Sequence, residues 1–251
     1  MKILVTLKRV PDYDTKIRVR PDGAGIETDG VKFSINPFDA IALEEALRIK
    51  EKLGVGEIVV VTIGGEDCIE QLRGGLAMGA DRGVLIRAGL DLDPLAVAKL
   101  LAAVYRREQP GLVLAGKQAI DDDSNQTGQM LAALLGVGQA TFISKLELLD
   151  NSARAKCQRE TDAGLEVVIV KLPAVVTVDL RLNEPRYVTA LGIMKAKKKP
   201  LEELTPDALG VEAVSRTRVL KLEPPRKRQA GVRVKSVDEL IDKLRNEAKV
   251  I

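Results

Sequence analysis

A polar segment that follows a buried apolar run contains the residues best suited to hold a ligand. Residues 116–129 read Gly-Lys-Gln-Ala-Ile-Asp-Asp-Asp-Ser-Asn-Gln-Thr-Gly-Gln and come directly after the strand-like run at 112–115. A helical pattern over 125–135 places Asn125, Gln126 and Thr127 at a helix start. Open α/β sheets bind ligands at the carboxyl ends of their strands, and unpaired N–H groups at a helix start favour phosphate. The segment therefore predicts a site for a nucleotide phosphate.

Two alternative roles are open to the same residues. Asp123 or Ser124 could simply cap the helix while the carboxylates face water. The adjacent aspartates could also ligate Mg²⁺, although neighbouring side chains on a turn point apart. The chain contains neither GxGxxG nor GxxxxGK[ST], so a dinucleotide-binding Rossmann site or a P-loop ATPase has no support in the sequence.

The composition removes several classes of function. Because the 251 residues include no histidine, the chain cannot use Ser-His-Asp catalysis, Cys-His catalysis or HExxH zinc chemistry. A net charge of +3 with three Phe, three Tyr and no Trp leaves few platforms for stacked bases, so no nucleic-acid partner is expected. The longest apolar runs fall short of the roughly 20 residues that cross a bilayer, so no membrane span is expected either.

The cysteines and the first residues indicate the compartment. Cys68 and Cys157 lie far apart and form no CxxC pair, which is typical of buried structural thiols in a reducing compartment. The sequence runs from Met1 directly into a strand-like pattern without an apolar signal region. We therefore expect a cytoplasmic protein without a disulfide framework or a metal site.

Strand and helix patterns alternate through the first 135 residues. Asn36 and Pro37 mark the start of the first helix, which ends near Gly54, and Asp93 with Pro94 caps a later one. The strand-like runs lie at 3–7, 57–63, 83–87 and 112–115. This alternation predicts right-handed βαβ units and a mostly parallel, doubly wound sheet covered on both faces.

From residue 141 the alternation of strands and helices gives way to strands alone. Strand patterns follow one another at 141–149, 153–158, 165–172 and 174–178, which predicts an antiparallel extension of the sheet. A basic, proline-containing region comes next, with a last helix predicted over 237–248. We expect an α/β nucleotide-binding domain over 1–211 and a C-terminal arm over 212–251 that has little core of its own and needs a partner to pack on.

Several segments, in the same order along the chain, resemble the motifs of electron transfer flavoprotein beta subunits. The segment 116–129 is similar to the AMP-binding loop of that family. The charged stretch at 159–164 before 166–177 has the form of the family signature, a charged segment leading into a strand that ends in proline. The other matching segments are Lys-Arg-Val-Pro-Asp-Tyr at 8–13, Asn-Pro-Phe at 36–38, Ala-Met-Gly-Ala-Asp-Arg at 77–82, Leu-Pro-Ala-Val-Val-Thr at 172–177 and Asp-Leu-Arg-Leu-Asn-Glu-Pro-Arg-Tyr at 179–187. The resemblance covers nearly the whole chain and implies a fold like that of the adenine nucleotide alpha hydrolases.

The resemblance implies a heterodimer in which an alpha subunit holds most of the FAD and this chain buries an AMP with a structural role. Tyr13 and Phe38 would lie near the flavin, or would be plain packing aromatics. The implied AMP contacts are Thr6, Asn36, Pro37, Phe38, Asp39, Ile63, Gly116, Lys117, Gln118, Ala119, Ile120, Asp121, Asp122, Asp123, Ser124, Asn125, Gln126 and Thr127. The redox chemistry would belong to the cofactor, so we expect an electron carrier without catalytic residues of its own.

The resemblance also implies a partner-recognition segment at about 187–199, with a loop over 187–194 and a lysine-rich helix after it. In the family an exposed leucine anchors acyl-CoA dehydrogenases of fatty acid oxidation, and electrons then pass to a quinone-reducing or other oxidoreductase. Here Ala190 occupies the expected leucine position and Leu191 follows it, so either residue is a candidate anchor. The expected docking residues are Ala190, Leu191, Ile193, Met194, Lys195 and Lys198. The alternative is that Leu191 packs internally and the lysines form a solvated face.

Two rival functions remain open on the sequence. Bifurcating members of the family bind a second FAD in place of AMP, but their loops resemble Ile-Asp-Gly-Asp-Thr-Ala-Gln-Val-Gly-Pro. This chain has Asp122, Asn125, Thr127 and Gln129 at the diagnostic positions, which favours AMP. A free-standing adenine-nucleotide sensor or hydrolase is the other candidate, although the chain lacks a Walker lysine motif and histidine.

Overall fold

The computed structural model describes residues 1–89, 91–228 and 230–251. The chain forms two compact units. The first unit comprises Met1–Lys16 and Thr28–Val219, and the second comprises Ile17–Glu27 and Leu220–Ile251. All the strands of the main sheet belong to the first unit.

The first unit contains eleven strands and five α-helices among its described residues. The strands are β1 (Lys2–Thr6), β2 (Arg9–Pro11), β3 (Phe33–Ile35), β4 (Glu57–Gly64), β5 (Arg82–Arg87), β6 (Leu112–Gly116), β7 (Gly138–Leu149), β8 (Arg154–Thr161), β9 (Gly164–Lys171), β10 (Ala174–Val178) and β11 (Leu201–Leu204). The helices are α1 (Pro37–Leu53), α2 (Ile69–Met78), α3 (Pro94–Glu108), α4 (Thr127–Leu135) and α5 (Ala190–Ala196).

Nine strands form one sheet in the order β11-β5-β4-β1-β6-β10-β7-β8-β9. Strands β11 through β7 pair in parallel, whereas β7, β8 and β9 pair antiparallel. The predicted mostly parallel sheet with an antiparallel extension is therefore confirmed. The placement of 174–178 in that extension is wrong, because β10 lies between β6 and β7 inside the parallel part. Its five residues are all buried, as expected for a strand covered on both faces.

Helices cover both faces of the sheet, so the doubly wound prediction is also confirmed. Successive residues of a strand point to opposite faces: Ile3 and Val5 of β1 join the core beneath α1, α2 and α5, whereas Leu4 joins the core beneath α3 and α4. Gly54 ends α1 in the left-handed conformation, and the Asp93 carboxylate accepts a hydrogen bond from the Ala96 N–H at the start of α3. The predicted end of α1 near Gly54 and the predicted start of α3 at Asp93 are both correct.

Two helix boundaries differ from the sequence expectation. Helix α4 begins at Thr127 rather than Asn125, because Asn125 has a positive φ of 48° that a helix excludes. The loop expected over 187–194 is helical from Ala190 onward. No helix among the residues that the structure describes is long and apolar enough to cross a membrane.

The second unit has its own short elements. Val19 and Ile26 form an antiparallel bridge, and the Leu222 N–H donates to the Gly23 carbonyl. Helix α6 spans Val237–Asp242 and continues as a wider π-helical turn over Lys243–Glu247. The helix expected over 237–248 is therefore only partly α-helical.

Candidate nucleotide site and docking segment

Asp39, in the first turn of α1, joins three segments at the carboxyl edge of the sheet. Its Oδ1 accepts the Gly116 N–H at 2.9 Å, and its Oδ2 accepts the Lys8 N–H at 2.8 Å. The side chain is buried, and this burial raises the pKa of the carboxyl group to about 6. The carboxyl ends of β1 and β6 are thereby fixed to the start of α1.

Asn36 holds the loop after β6. It occupies the position before α1, as expected for a cap, but its side chain makes no capping hydrogen bond. Instead, its Nδ2 donates to the Gln118 carbonyl at 2.9 Å and its Oδ1 accepts the Ile120 N–H at 3.3 Å. The expected capping role of Asn36 is therefore replaced by a role in shaping the loop.

Gly116, the last residue of β6, lies close against the start of α1. A Cβ atom at this position would lie 2.6 Å from Phe38 Cβ and 2.7 Å from Asp39 Oδ1. Both neighbouring atoms belong to buried residues of α1, so neither can move aside easily. The site accommodates only glycine here without a shift of α1.

The three aspartates of the loop are engaged within the loop and its neighbourhood. The Lys8 ammonium donates to Asp121 Oδ1 at 2.8 Å and to Asp122 Oδ2 at 2.9 Å. Burial by itself lowers the pKa of Lys8, but these hydrogen bonds outweigh it and the pKa lies above its ordinary value. Asp123 accepts a hydrogen bond from the Gln118 side chain. The described residues contain no group of three or more carboxylates, thiols or imidazoles that could hold a metal ion.

The start of α4 carries no side-chain cap. Gln126 is the residue before the helix and makes no capping hydrogen bond, so the alternative in which Asp123 or Ser124 caps the helix is wrong. Asp122 instead accepts the Ser124 N–H at 3.0 Å. A helix start without a side-chain cap is suited to an anionic group of a ligand.

Two buried polar atoms near this edge also have no protein partner among the described residues. The Gln129 amide donates to Asn125 Oδ1 at 2.9 Å, yet its Oε1 is buried without a hydrogen bond. Thr62 Oγ1, one residue before Ile63 near the end of β4, is likewise buried and unpartnered. Buried polar groups are normally satisfied, so the residues present fit a polar ligand with hydrogen-bonding groups.

The structure brings most of the predicted AMP residues to one edge. Thr6, Ile63 and Gly116 lie at or near the carboxyl ends of β1, β4 and β6, which are neighbours in the sheet. Phe38 is buried in the same region, whereas Tyr13 is 74% exposed and makes none of the contacts described above. Parallel pairing places these distant segments together.

Three further residues of the site were not predicted from the sequence. Lys8 binds the loop carboxylates, and Asp179 accepts a hydrogen bond from the Lys117 ammonium at 2.8 Å. That ammonium also lies 5.4 Å from the ring centre of Phe38 and 5.7 Å from that of Phe142. A cation directly after a parallel strand is a usable sequence signal for Lys8. No comparable signal exists for Phe142, whose positive φ of 58° arises at a register shift in β7.

The expected docking residues lie in and just after α5. The Thr189 hydroxyl accepts the Gly192 N–H at 3.0 Å and starts this helix. Leu191 is 57% exposed and Met194 65% exposed, so Leu191 does not pack internally. The helix also places Ala190, Ile193 and Lys195 at the surface, followed by Lys198.

The fold and the site define a doubly wound α/β protein with a polar loop at the carboxyl edge of its sheet, the location where such proteins hold ligands.

Residues 24–209 match the electron transfer flavoprotein domain. The chain is 58% identical over 251 residues to the electron transfer flavoprotein subunit beta of Bradyrhizobium diazoefficiens, covering all of both chains. It is 55% identical over 251 residues to the mitochondrial subunit beta of Arabidopsis thaliana, again covering both chains completely. Identity to the human subunit beta is 50% over 254 residues, covering all of this chain and 99% of the relative.

The chain therefore belongs to the electron transfer flavoprotein family, as a beta subunit. The resemblance inferred from its motifs is confirmed. Membership implies an alpha-subunit partner and an association with flavin or nucleotide.

Proposed function

We propose that this beta subunit buries one AMP at the carboxyl edge of its sheet and supports an FAD held mainly by the alpha subunit. The observation that carries the proposal is a loop after β6 that Asn36 and Asp39 hold against α1 and that leads into the uncapped start of α4. Gly116 allows the close contact with α1. The N–H groups at that helix start would donate to the phosphate of AMP. The polar atoms of Thr62 and Gln129 that lack partners would meet the polar groups of the nucleotide.

The residues of this chain bind and orient rather than react. Bound FAD supplies the redox chemistry. Phe38 is fixed at the edge of the site by α1, and Tyr13 is exposed where a partner subunit could cover it. We propose on this basis that the subunit is an electron carrier without catalytic residues of its own.

Helix α5 supports the docking part of the proposal. Leu191 and Met194 are exposed and three residues apart, so they share one side of the helix, and Lys195 lies on the same side. Lys198 follows in the turn after the helix and is also exposed. A buried apolar side chain contributes roughly 1.5 to 3 kcal/mol to an interface, enough for a transient complex. We propose that this side docks dehydrogenases of the acyl-CoA type, that Leu191 is the anchor, and that an acceptor oxidoreductase then receives the electrons.

The C-terminal arm and the cellular compartment extend the same proposal. The exposed apolar residues of the region after Val219, such as Leu220 and Val232, support an arm that packs on the alpha subunit. Cys68 and Cys157 are both free and buried, which supports a cytoplasmic, reducing location.

Nucleotide analysis of the purified heterodimer tests the proposal. Acid release and chromatography are expected to give one FAD and one AMP per heterodimer, whereas two FAD would indicate the bifurcating type. The Gly116→Ala variant is expected to lose most of its AMP, because the new methyl group displaces α1 from the loop, at a cost of roughly 1 to 3 kcal/mol.

Gly89→Ala is the matched control. A Cβ atom added to Gly89 would meet no described atom within 4 Å, and the residue has no positive φ, so this variant is expected to keep its AMP. An unchanged AMP content in Gly116→Ala would place the nucleotide elsewhere, and a chain that purifies alone without either nucleotide would overturn the proposal.

A further inference from the structure

Two long cationic side chains, Arg73 of α2 and Lys199 just after α5, join the C-terminal ends of these two helices. The Arg73 guanidinium of α2 donates from Nη1 to the carbonyl of Ala196 at 2.7 Å and to that of Lys199 at 2.9 Å. In return, the Lys199 ammonium donates to the carbonyls of Leu76 at 2.9 Å and Ala80 at 2.5 Å. The two side chains thus bridge the backbone carbonyl groups at and just after the C-terminal ends of α2 and α5.

The two helices also approach each other closely through small residues. A Cβ atom on Gly192 would lie 2.6 Å from the carbonyl oxygen of Ala77. Ala196, one helical turn later, is 2% exposed and belongs to the core beneath α1 and α2. One side of α5 is therefore seated on α2, while the side with Leu191 and Met194 faces outward.

Helix α5 depends on these contacts for its shape. It has only seven residues, whereas isolated helices shorter than roughly 12 residues are marginal in water. The exposed residues on its outer side bury little apolar surface and so do not stabilise the helix. The conformation of α5 in the absence of a partner is thus set by the cap at Thr189, the close approach at Gly192 and the hydrogen bonds of Arg73 and Lys199.

We propose that Arg73 and Lys199 are positioning residues that hold the docking side of α5 in its partner-ready conformation. The inference rests on the proposed docking function of α5 and adds the residues that preorganise it. An interface segment that is already ordered does not lose conformational freedom on binding, so its complex is tighter. Neither residue needs to touch the partner for this effect.

Steady-state electron transfer to the purified heterodimer tests the inference. The donor is an acyl-CoA dehydrogenase reduced by its acyl-CoA, and the varied substrate is the heterodimer. Arg73→Met and Lys199→Met each remove a donor to two carbonyls while retaining an unbranched apolar stem. Each is expected to raise KM for the heterodimer by about tenfold with little change in kcat, and FAD content should not change.

Two controls separate positioning from general damage. Arg73→Lys and Lys199→Arg keep a cationic donor and are expected to restore most of the affinity. Arg106→Met removes an arginine that reaches the Leu134 carbonyl at the end of α4, far along the chain from α5, and is expected to leave KM unchanged. Hydrogen exchange of the α5 amides should accelerate in the two Met variants, while exchange in the central strands stays as in the wild type.

Leu191→Ala in the same assay distinguishes a failure of positioning from a failure of docking. If Leu191→Ala raises KM and the Arg73 and Lys199 variants do not, the positioning role is overturned while docking through α5 stands. If none of the three variants changes KM, or the wild-type heterodimer accepts no electrons from the dehydrogenase, the docking function itself is wrong and the inference falls with it.

Discussion

At the scale of single residues, two buried polar side chains of the site hold its backbone in place. Asp39 and Asn36 together hold four backbone groups from Lys8, Gly116, Gln118 and Ile120. A charged carboxylate in a buried position is costly unless hydrogen bonds compensate it. Asp39 has two such bonds, yet burial still raises its pKa to about 6.

The raised pKa gives a prediction for Asp39→Asn. In the wild type the contribution of Asp39 to stability is fully present below pH 3.8, the ordinary value, and is lost as the pH rises through about 6. The free energy of unfolding of the wild type minus that of Asp39→Asn should therefore fall by up to about 3 kcal/mol over this window. Urea titrations at a series of pH values measure this difference. A difference that grows with pH would mean that the folded site favours the carboxylate instead.

At the scale of elements, α1 links the carboxyl edge of the sheet to the segment that leads into α5. Glu44 is buried on this helix and accepts hydrogen bonds from Arg48 at 2.8 Å and from Arg186 at 2.8 Å. Arg186 also reaches Glu51 two turns further along α1. Asn183 donates to the Ile41 carbonyl at 3.1 Å, so the chain between β10 and α5 is fixed along one side of the helix.

Glu44→Gln and Glu51→Gln form a matched pair that tests this attachment. The side chain of Glu44 is 4% exposed and that of Glu51 is 59% exposed. Because Glu44→Gln leaves two guanidinium groups with a weaker, uncharged partner, it is expected to cost about 1.5 to 3 kcal/mol of unfolding free energy. Glu51→Gln is expected to cost less than about 1 kcal/mol, since exposed ion pairs are weak.

Denaturant titration at neutral pH measures both variants, and hydrogen exchange of residues 183–187 reports the local effect. Burial by itself raises the pKa of Glu44, but the bonds from Arg186 and Arg48 outweigh it and the pKa is lowered. The difference between wild type and Glu44→Gln should accordingly shrink as the pH falls below 4.5. Equal costs for the two variants would contradict this assignment.

At the scale of the whole molecule, the nine-stranded sheet is complete within the first unit. The second unit instead displays apolar side chains at its surface, among them Leu220, Val232 and Val237 at 81%, 80% and 71% exposure. Apolar surface of this kind is typical of a segment that another chain covers. The proposed partner for it is the alpha subunit.

Truncation after Val219 tests that proposal. The shortened chain is expected to keep the far-ultraviolet circular dichroism of an α/β protein, because the sheet and its covering helices remain. It is expected to lose most of the alpha subunit and FAD during co-purification, because the arm no longer contributes apolar contacts to the heterodimer. A variant that lacks only residues 249–251 is the control and should retain both. Full retention after the larger truncation would exclude the arm as a major contact.

The sequence by itself determined the elements with strong local signals. The β-branched run of β4, the Asn-Pro start of α1 and the Asp-Pro start of α3 predicted their elements because period, capping and proline geometry act between near neighbours. The motifs over most of the chain also identified the family, and the segment 116–129 was correctly chosen as the loop at the carboxyl edge of the sheet.

Only the tertiary structure decided which distant residues meet. Strand β10 follows three strands along the chain yet pairs between β6 and β7, since pairing depends on burial of both faces rather than on sequence order. The same long-range contacts bring Lys8 to Asp121, Asp179 to Lys117, and Arg73 to the end of α5. A single side chain carries no local signal for a partner more than 60 residues away, so these contacts of the candidate site and of α5 became visible only when the sheet was assembled.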